Sequence, residues 1–153
     1  MKYFIGIVLL MFLGCSKTIK EVSEFYENGE VKIVKYYSNN SSSKTLTKEL
    51  QYYPDGKLAY QKYFEDDKPH GEWKFWHSNG NIWSEGYYKN GQRVREAKVY
   101  HKNGQLFFIG KYLKGEKDGE WLFYNEEGVL ETKTTFRSGK IIKNLNTDNK
   151  GNK

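Results

Sequence analysis

Cysteine is almost absent from this chain of 153 residues, which has a single one at Cys15. An internal disulfide is therefore excluded, so packing and hydrogen bonds must hold the fold. Long apolar runs are missing too. The longest extends over the eleven residues from Tyr3 to Leu13, whereas a membrane-spanning helix needs about 20. No segment has the pattern of a helix that could cover a sheet.

The composition favours a β protein with many turns. Aromatic residues make up 17% of the chain, against two prolines and 15 glycines, and aromatic side chains suit half-buried strands. The net charge is +6, but the lysines are spread along the chain among acidic residues. A scattered excess of this kind is typical of a solvated surface, so we expect no nucleic-acid partner.

A short phrase returns with a fixed period. Gly56, Gly80, Gly104 and Gly128 are spaced 24 residues apart, and each ends a phrase that begins with aromatic or other apolar residues, as in Phe75-Trp76-His77-Ser78-Asn79-Gly80. A period of 20–50 residues indicates a stacked-repeat architecture. Such a stack builds a surface and not a pocket.

Each repeat has the pattern of a β-hairpin. Side chains alternate over residues 72–76, a turn follows at Gly80, and residues 81–88 return. We expect Ile82 to share a face with Ser84, Gly86 and Tyr88. The predicted fold is all-β, an elongated single-layer antiparallel meander of stacked hairpins. A polar loop is predicted over residues 38–44.

One face of this sheet carries aromatic rings beside lysines, at positions that recur every 24 residues. A row of rings could stack against a polysaccharide or hold a strand of a partner protein; alternatively, the rings serve only to cover the sheet. The candidate binding surface consists of Lys74, Trp76, Lys98, Tyr100 and Tyr124.

The start of the chain predicts export and lipidation. Residues 1–14 have a charged start, a short apolar stretch and a small last residue, as in a secretory signal peptide. Phe12-Leu13-Gly14-Cys15 resembles the lipobox of bacterial lipoproteins, which implies lipidation of Cys15 and attachment to a membrane in the bacterial cell envelope. In Gram-negative lipoproteins, an aspartate after the lipidated cysteine commonly retains the protein at the inner membrane. This chain has Ser16 there, so the resemblance favours the outer membrane in a Gram-negative cell. An ordinary signal peptide beside a stray cysteine is the alternative.

Asp118-Gly119-Glu120-Trp121, His70-Gly71-Glu72-Trp73 and Tyr87-Tyr88-Lys89-Asn90-Gly91 resemble MORN repeats of the bacterial, YwqK-antitoxin-like variant. The resemblance implies a repeat domain over residues 24–139 used for binding or scaffolding. The middle copy departs from the pattern, because Arg95 and Ala97 replace its second glycine and its tryptophan. A tether over residues 15–23 precedes this domain, and residues 140–153 form a strand remnant and a disordered tail.

We expect no catalytic, cofactor or metal site. His77 and His101 share a repeat position, but equivalent residues lie two strands apart, about 9–10 Å, and zinc ligands lie within about 4 Å of each other. Both are predicted to be turn histidines in water. Neither a Gly-x-Ser-x-Gly elbow nor a phosphate loop occurs.

The sequence therefore predicts a non-catalytic envelope lipoprotein whose repeats bind a protein or a polysaccharide. Two alternatives stay open. One is an antitoxin or immunity-like protein that sequesters a toxin, and the other is a membrane-surface module whose basic excess contacts anionic lipid.

Overall fold

The structure is a computed structural model that describes residues 17–40 and 43–147. It confirms the predicted all-β meander. Over these residues, twelve strands form one open antiparallel sheet in chain order, except that the short β5 pairs with β4 beside the main path. The strands are β1 Lys17–Phe25, β2 Val31–Asn40, β3 Ser43–Tyr52, β4 Leu58–Glu65, β5 Lys68–Pro69, β6 Gly71–Trp76, β7 Ile82–Lys89, β8 Gln92–Tyr100, β9 Leu106–Leu113, β10 Glu116–Tyr124, β11 Leu130–Arg137 and β12 Lys140–Asn146.

The repeated phrase forms the same turn each time. In the turn between β6 and β7, the Gly80 N–H donates to the His77 carbonyl at 2.9 Å, and the His77 N–H donates to the Asn81 carbonyl at 2.8 Å. Gly80 has a φ of 93°, which glycine adopts without a steric penalty. Equivalent pairs of bonds recur at Gly29, Gly56, Gly104 and Gly128. The period of the sequence is therefore the period of this turn.

Two-residue turns connect β4 to β5, β7 to β8, β9 to β10 and β11 to β12. Asn90 and Gly91, between β7 and β8, have φ values of 50° and 84°. Two successive positive φ angles match the right-handed twist of a hairpin. The Gly91 N–H also donates to the Pro69 carbonyl at 2.8 Å, and the Gly115 N–H to the Arg93 carbonyl at 2.9 Å. These bonds join each turn to the preceding one along the stack.

A β-bulge follows every phrase turn. Phe75 pairs with Ser84, but Trp76 pairs with Ile82, which leaves Trp83 as an extra residue. The expectation that Ile82 shares a face with Ser84 is therefore wrong. The extra residue reverses the alternation, so Trp83 joins the Phe75 side, with ring centroids 5.9 Å apart. The same shift occurs at Lys32, Ala59, Phe107 and Glu131.

The best-buried part of the sheet is its aromatic face, which we define as the face that carries Trp73, Phe75, Trp83, Phe108 and Trp121. Trp121 is 0% exposed, and the rings of Phe108, Tyr112 and Phe136 surround it at centroid distances of 5.4, 5.1 and 5.7 Å. Tilted and edge-on ring pairs of this kind stabilise a single sheet that no second layer covers within the described residues.

Two segments near the N-terminus differ from expectation. Residues 17–23, expected in a tether, belong to β1, which pairs with β2 from Lys17 onward. In the predicted loop over residues 38–44, pairing continues to Asn40 and resumes at Ser43. Backbone pairing satisfies the peptide groups of both segments despite their polar side chains.

The predicted signal peptide and Cys15 lie outside the described residues, as do residues 148–153 of the predicted tail. The preceding part of that tail forms β12 as far as Asn146. Nowhere in residues 17–40 and 43–147 is there a helix with the length and apolar character to cross a bilayer.

Candidate functional site

A groove of about 720 Å³ crosses the aromatic face above strands β6 to β9. Rings from β6 and β9 stand at two sides of it, and β7 contributes two further rings, Trp83 and Tyr88, beside small residues of β7 and β8. The lining includes Trp73 and Phe75 of β6, Ser84 and Gly86 of β7, Val99 of β8, and Phe107 and Phe108 of β9. The groove is therefore an apolar channel between two aromatic walls.

The groove lies where the middle repeat lacks its tryptophan. Trp73, Ala97 and Trp121 occupy equivalent positions, 24 residues apart. The ring of Trp121 lies directly over Gly110, so close that a Cβ on this glycine would be 2.1 Å from the ring. Gly86 is the equivalent glycine one repeat earlier, but Ala97 has no ring to place over it. The volume above Gly86 that a tryptophan ring would fill is therefore not filled by residue 97.

Arg93 occupies part of that space. Its Nη2 and Nε atoms would lie 3.1 and 3.2 Å from a Cβ on Gly86, and its guanidinium stands 4.8 Å from the centre of the Tyr112 ring. The Nε atom is buried and has no hydrogen-bond partner. No ion pair of Arg93 occurs in the part of the chain that the structure describes. Arg93 therefore brings an uncompensated positive charge to the groove.

Two rings on the groove are open to solvent. Trp83 is 48% exposed and Phe107 is 40% exposed. Both are the extra residues of β-bulges, on β7 and β9. The bulges turn them toward the groove, beside His77 and His101, with ring centroids 6.0 and 4.9 Å apart. Sequence alternation alone missed both residues, because each bulge changes the face to which they belong.

The two histidines are half-buried and bonded, so the prediction of turn histidines in water is wrong. His77 donates through Nε2 to the Tyr100 carbonyl at 3.1 Å, and His101 donates to the Tyr124 carbonyl at 3.0 Å. Tyr26 and Tyr53, at the same repeat position, donate to the next repeat in the same way. This position therefore links neighbouring hairpins.

No group of three or more metal-ligating side chains is found within residues 17–40 and 43–147. The Nε2 atoms of His77 and His101 are already used in hydrogen bonds to backbone carbonyl groups.

The sequence-predicted binding surface lies mostly on the other face. Lys74 and Tyr100 converge on Glu85, with a Lys74 Nζ–Glu85 Oε2 distance of 3.9 Å and a hydrogen bond of 2.9 Å from the Tyr100 hydroxyl. Burial, and then the bond to Glu85, raises the pKa of Tyr100 to about 12. Lys98 is cross-strand from Glu85 and pairs with Glu96 at 2.9 Å.

The other members of that surface stand at the hairpin ends. Trp76 pairs with Ile82, and Tyr124 pairs with Leu130. All five residues are half-buried, and only Tyr100 also borders the groove. Their role in binding stays a prediction.

A stack of equivalent hairpins with an exposed aromatic groove defines a β-repeat module of the binding or scaffold class. The chain belongs to the MORN repeat variant family, which it matches at residues 20–39, 47–66, 69–90 and 117–138. The unmatched residues 91–116 contain Arg93 and Ala97, so the groove lies where the family pattern lapses. A comparison with curated proteins gave no significant match.

Two solved structures share low similarity with the chain. A GtfA/B complex bound to UDP and GlcNAc is 12% identical, with a TM-score of 0.31 over 80% of this chain and 24% of that one. The chain thus spans about a quarter of its length. A protein of unknown function from Bacteroides fragilis NCTC 9343 is 11% identical, with a TM-score of 0.22 over 82% of this chain and 96% of that one. With TM-scores this low, neither similarity bears on function.

Proposed function

We propose that this chain is a non-catalytic binding module of the bacterial cell envelope, anchored by a lipid on Cys15, which binds a polysaccharide or a protein through the aromatic groove. The observation that carries this proposal is the groove itself, in which exposed Trp83 and Phe107 stand beside an unpaired Arg93. Concave apolar sites with few polar groups are the usual form of a ligand site.

The remaining polar groups support a binding role over a catalytic one. Glu85, the acidic residue at which Lys74 and Tyr100 meet, is bonded to the Tyr100 hydroxyl at 2.9 Å. His77 and His101 each use a ring nitrogen to join two hairpins. A general base needs a free position near a substrate proton. These side chains are instead engaged in hydrogen bonds between strands of the sheet.

The anchor is supported by the sequence around Cys15 and by the start of the sheet. β1 begins at Lys17, two residues after the cysteine, so an anchored chain would hold its sheet near the bilayer. Two or more acyl chains anchor a protein stably, whereas one gives only reversible attachment. We expect Cys15→Ser to release the protein from membranes at all salt concentrations. Attachment that persists in this variant and falls steeply with salt would instead support basic contact with anionic lipid.

Binding can be assigned to one face by paired variants. The full chain, its Trp83→Ala/Phe107→Ala variant and its Trp76→Ala/Tyr124→Ala variant are each incubated with envelope fractions, and the bound fraction is measured. We expect the first variant to bind about tenfold more weakly or worse, because ring contacts of about 0.5–1.5 kcal/mol each, plus buried area, are lost. The second pair removes two rings from the opposite face and serves as the matched control.

Each outcome of this assay distinguishes between the possible binding sites or functions. If only the Trp76→Ala/Tyr124→Ala variant loses binding, the binding site lies on the sequence-predicted surface, and the proposal that the groove is the site is wrong. Unchanged binding in both would overturn aromatic binding altogether. Recovery of one stoichiometric toxin from the cell extract would identify the alternative function, an antitoxin or immunity-like protein.

A further inference from the structure

We propose that the groove recognises an acidic polysaccharide, in which a uronate carboxylate pairs with Arg93 and sugar rings stack on Trp83 and Phe107. This inference rests on the proposed function and specifies the ligand class of the same site.

Arg93 determines the charge of the ligand. Its guanidinium belongs to the groove lining and forms no ion pair within the described residues, so its charge is available to a ligand. The planar guanidinium matches a carboxylate through two parallel hydrogen bonds. Lys102 also borders the groove, and Glu126 is the acidic residue on its lining. The lining therefore has an excess of positive charge, which complements an anionic ligand.

The exposed rings determine the shape of the ligand. Trp83 lies on β7 and Phe107 lies on β9, so the two rings are one repeat apart, or about 9–10 Å by strand spacing. Pyranose rings present flat C–H faces that pack on aromatic rings, and neighbouring sugars along a chain repeat that contact. A polymer with a regular spacing suits two aromatic platforms at a fixed interval.

The backbone beneath the groove argues against a strand of a partner protein. Strand addition requires a free sheet edge, but β7 pairs with β6 and β8, and β8 pairs with β7 and β9. The groove floor therefore offers no unpaired row of N–H and C=O groups to a peptide. Recognition depends on ring faces and one guanidinium, which an acidic sugar chain can satisfy without backbone pairing.

Ala97 determines whether the groove exists. A tryptophan there would place an indole over Gly86, as Trp121 does over Gly110. The ring would take the position of the Arg93 side chain and fill the space between the walls. Ala97→Trp therefore closes the site with the side chain that Trp73 and Trp121 have at the equivalent position.

The test measures binding of the full chain, purified in detergent, to polygalacturonate, alginate and hyaluronan by titration calorimetry. Polygalacturonate with its carboxyls methyl-esterified is the matched neutral probe. We expect at least one acidic polymer to bind, and esterification to weaken polygalacturonate binding about tenfold. Arg93→Gln should weaken acidic binding by a similar factor, because a charged hydrogen-bond partner is lost.

Arg95→Gln is the matched control. It removes the same charge two residues away, where Arg95 is exposed and stands 4.1 Å from the Tyr87 ring centre, outside the groove lining. Equal loss in both variants would mean nonspecific charge attraction and would overturn the inference. Ala97→Trp should abolish binding while the thermal unfolding transition is retained. If that variant does not fold, the comparison of the two arginine variants decides alone.

Failure to bind any of the three polymers would sink the acidic-polysaccharide inference. The proposed function would still stand if envelope binding depends on Trp83 and Phe107 and a protein is recovered instead. Both would fall together if those two rings have no effect on any binding.

Discussion

At the scale of single residues, the first position of the repeated turn shows how two different side chains serve one purpose. Tyr26 and Tyr53 donate through a hydroxyl to a carbonyl of the next hairpin at 2.8 and 2.7 Å, and His77 and His101 donate to the equivalent carbonyls through Nε2. In these four repeats the position carries a ring with a donor at its far end, whereas the last repeat has Asn125 there.

His101→Tyr should therefore be tolerated, whereas His101→Phe should lower the free energy of unfolding by about 1 kcal/mol, the typical net value of one hydrogen bond. Chemical denaturation of the two variants measures the difference. A His101→Phe variant as stable as the wild type would show that the ring contributes by packing alone.

Tyr100 gives the chain a dependence of stability on alkaline pH. Burial and the bond to Glu85 raise its pKa to about 12, above the ordinary value near 10. The folded state therefore keeps the proton longer than the unfolded state. The stabilisation is complete below about pH 10 and is lost as the pH rises toward 12.

Tyr100→Phe should make the decline in the free energy of unfolding between about pH 10 and pH 12 less steep. Tyr60, whose pKa is also raised by burial and by a bond to Glu49, remains in place, so part of the decline persists. Denaturant titrations at several pH values check this. An identical pH dependence in both proteins would contradict the assignment to Tyr100.

At the scale of the strand, two equivalent glycines meet different neighbours. A Cβ at Gly110 would lie 2.1 Å from the buried Trp121 ring, whereas one at Gly86 would lie 3.1 Å from the flexible end of Arg93. Neither glycine has a positive φ, so space and not backbone strain distinguishes them.

Gly110→Ala should lower the free energy of unfolding by about 3 kcal/mol or prevent folding, because a buried indole cannot move aside. Gly86→Ala should cost less than about 1 kcal/mol, since Arg93 can shift. Equilibrium unfolding compares the pair, and equal effects would contradict the stacking of Trp121 over Gly110.

At the scale of the whole molecule, the sheet is a linear chain of neighbours. Within the described residues, each strand on the main path pairs with the strands next to it, β4 pairs also with β5, and β1 and β12 stand at the two ends of the sheet. All seven residues of β12 are exposed. Stability in such a stack is the sum of repeat and nearest-neighbour terms.

Trp121→Ala should destabilise the C-terminal hairpins most. Loss of a buried tryptophan costs about 3–5 kcal/mol, and the lost contacts lie in β9 to β11. Hydrogen exchange should accelerate in those strands and change little in β2 to β4. A uniform acceleration throughout the sheet would show that the stack unfolds as one cooperative unit.

Much of this fold could be predicted from the sequence. The 24-residue period of glycines predicted the hairpins, because a turn that needs a positive φ leaves a glycine at the same place in every repeat. The bulges could not be predicted. Each bulge adds one extra residue to a strand and so changes the face that Trp83 or Phe107 occupies. Nothing in the alternation of polar and apolar residues marks where that extra residue is.

The sequence by itself determined the repeat, the hairpins and the missing tryptophan at Ala97, since each depends on residues close together in the chain. Only the tertiary structure decided that this gap is a groove. Arg93 settles over Gly86 and leaves its Nε unpartnered, while rings from β6 and β9 form the walls. The reason is that strand pairing brings together side chains from different repeats, and their packing depends on volumes and bulge positions that no local pattern records.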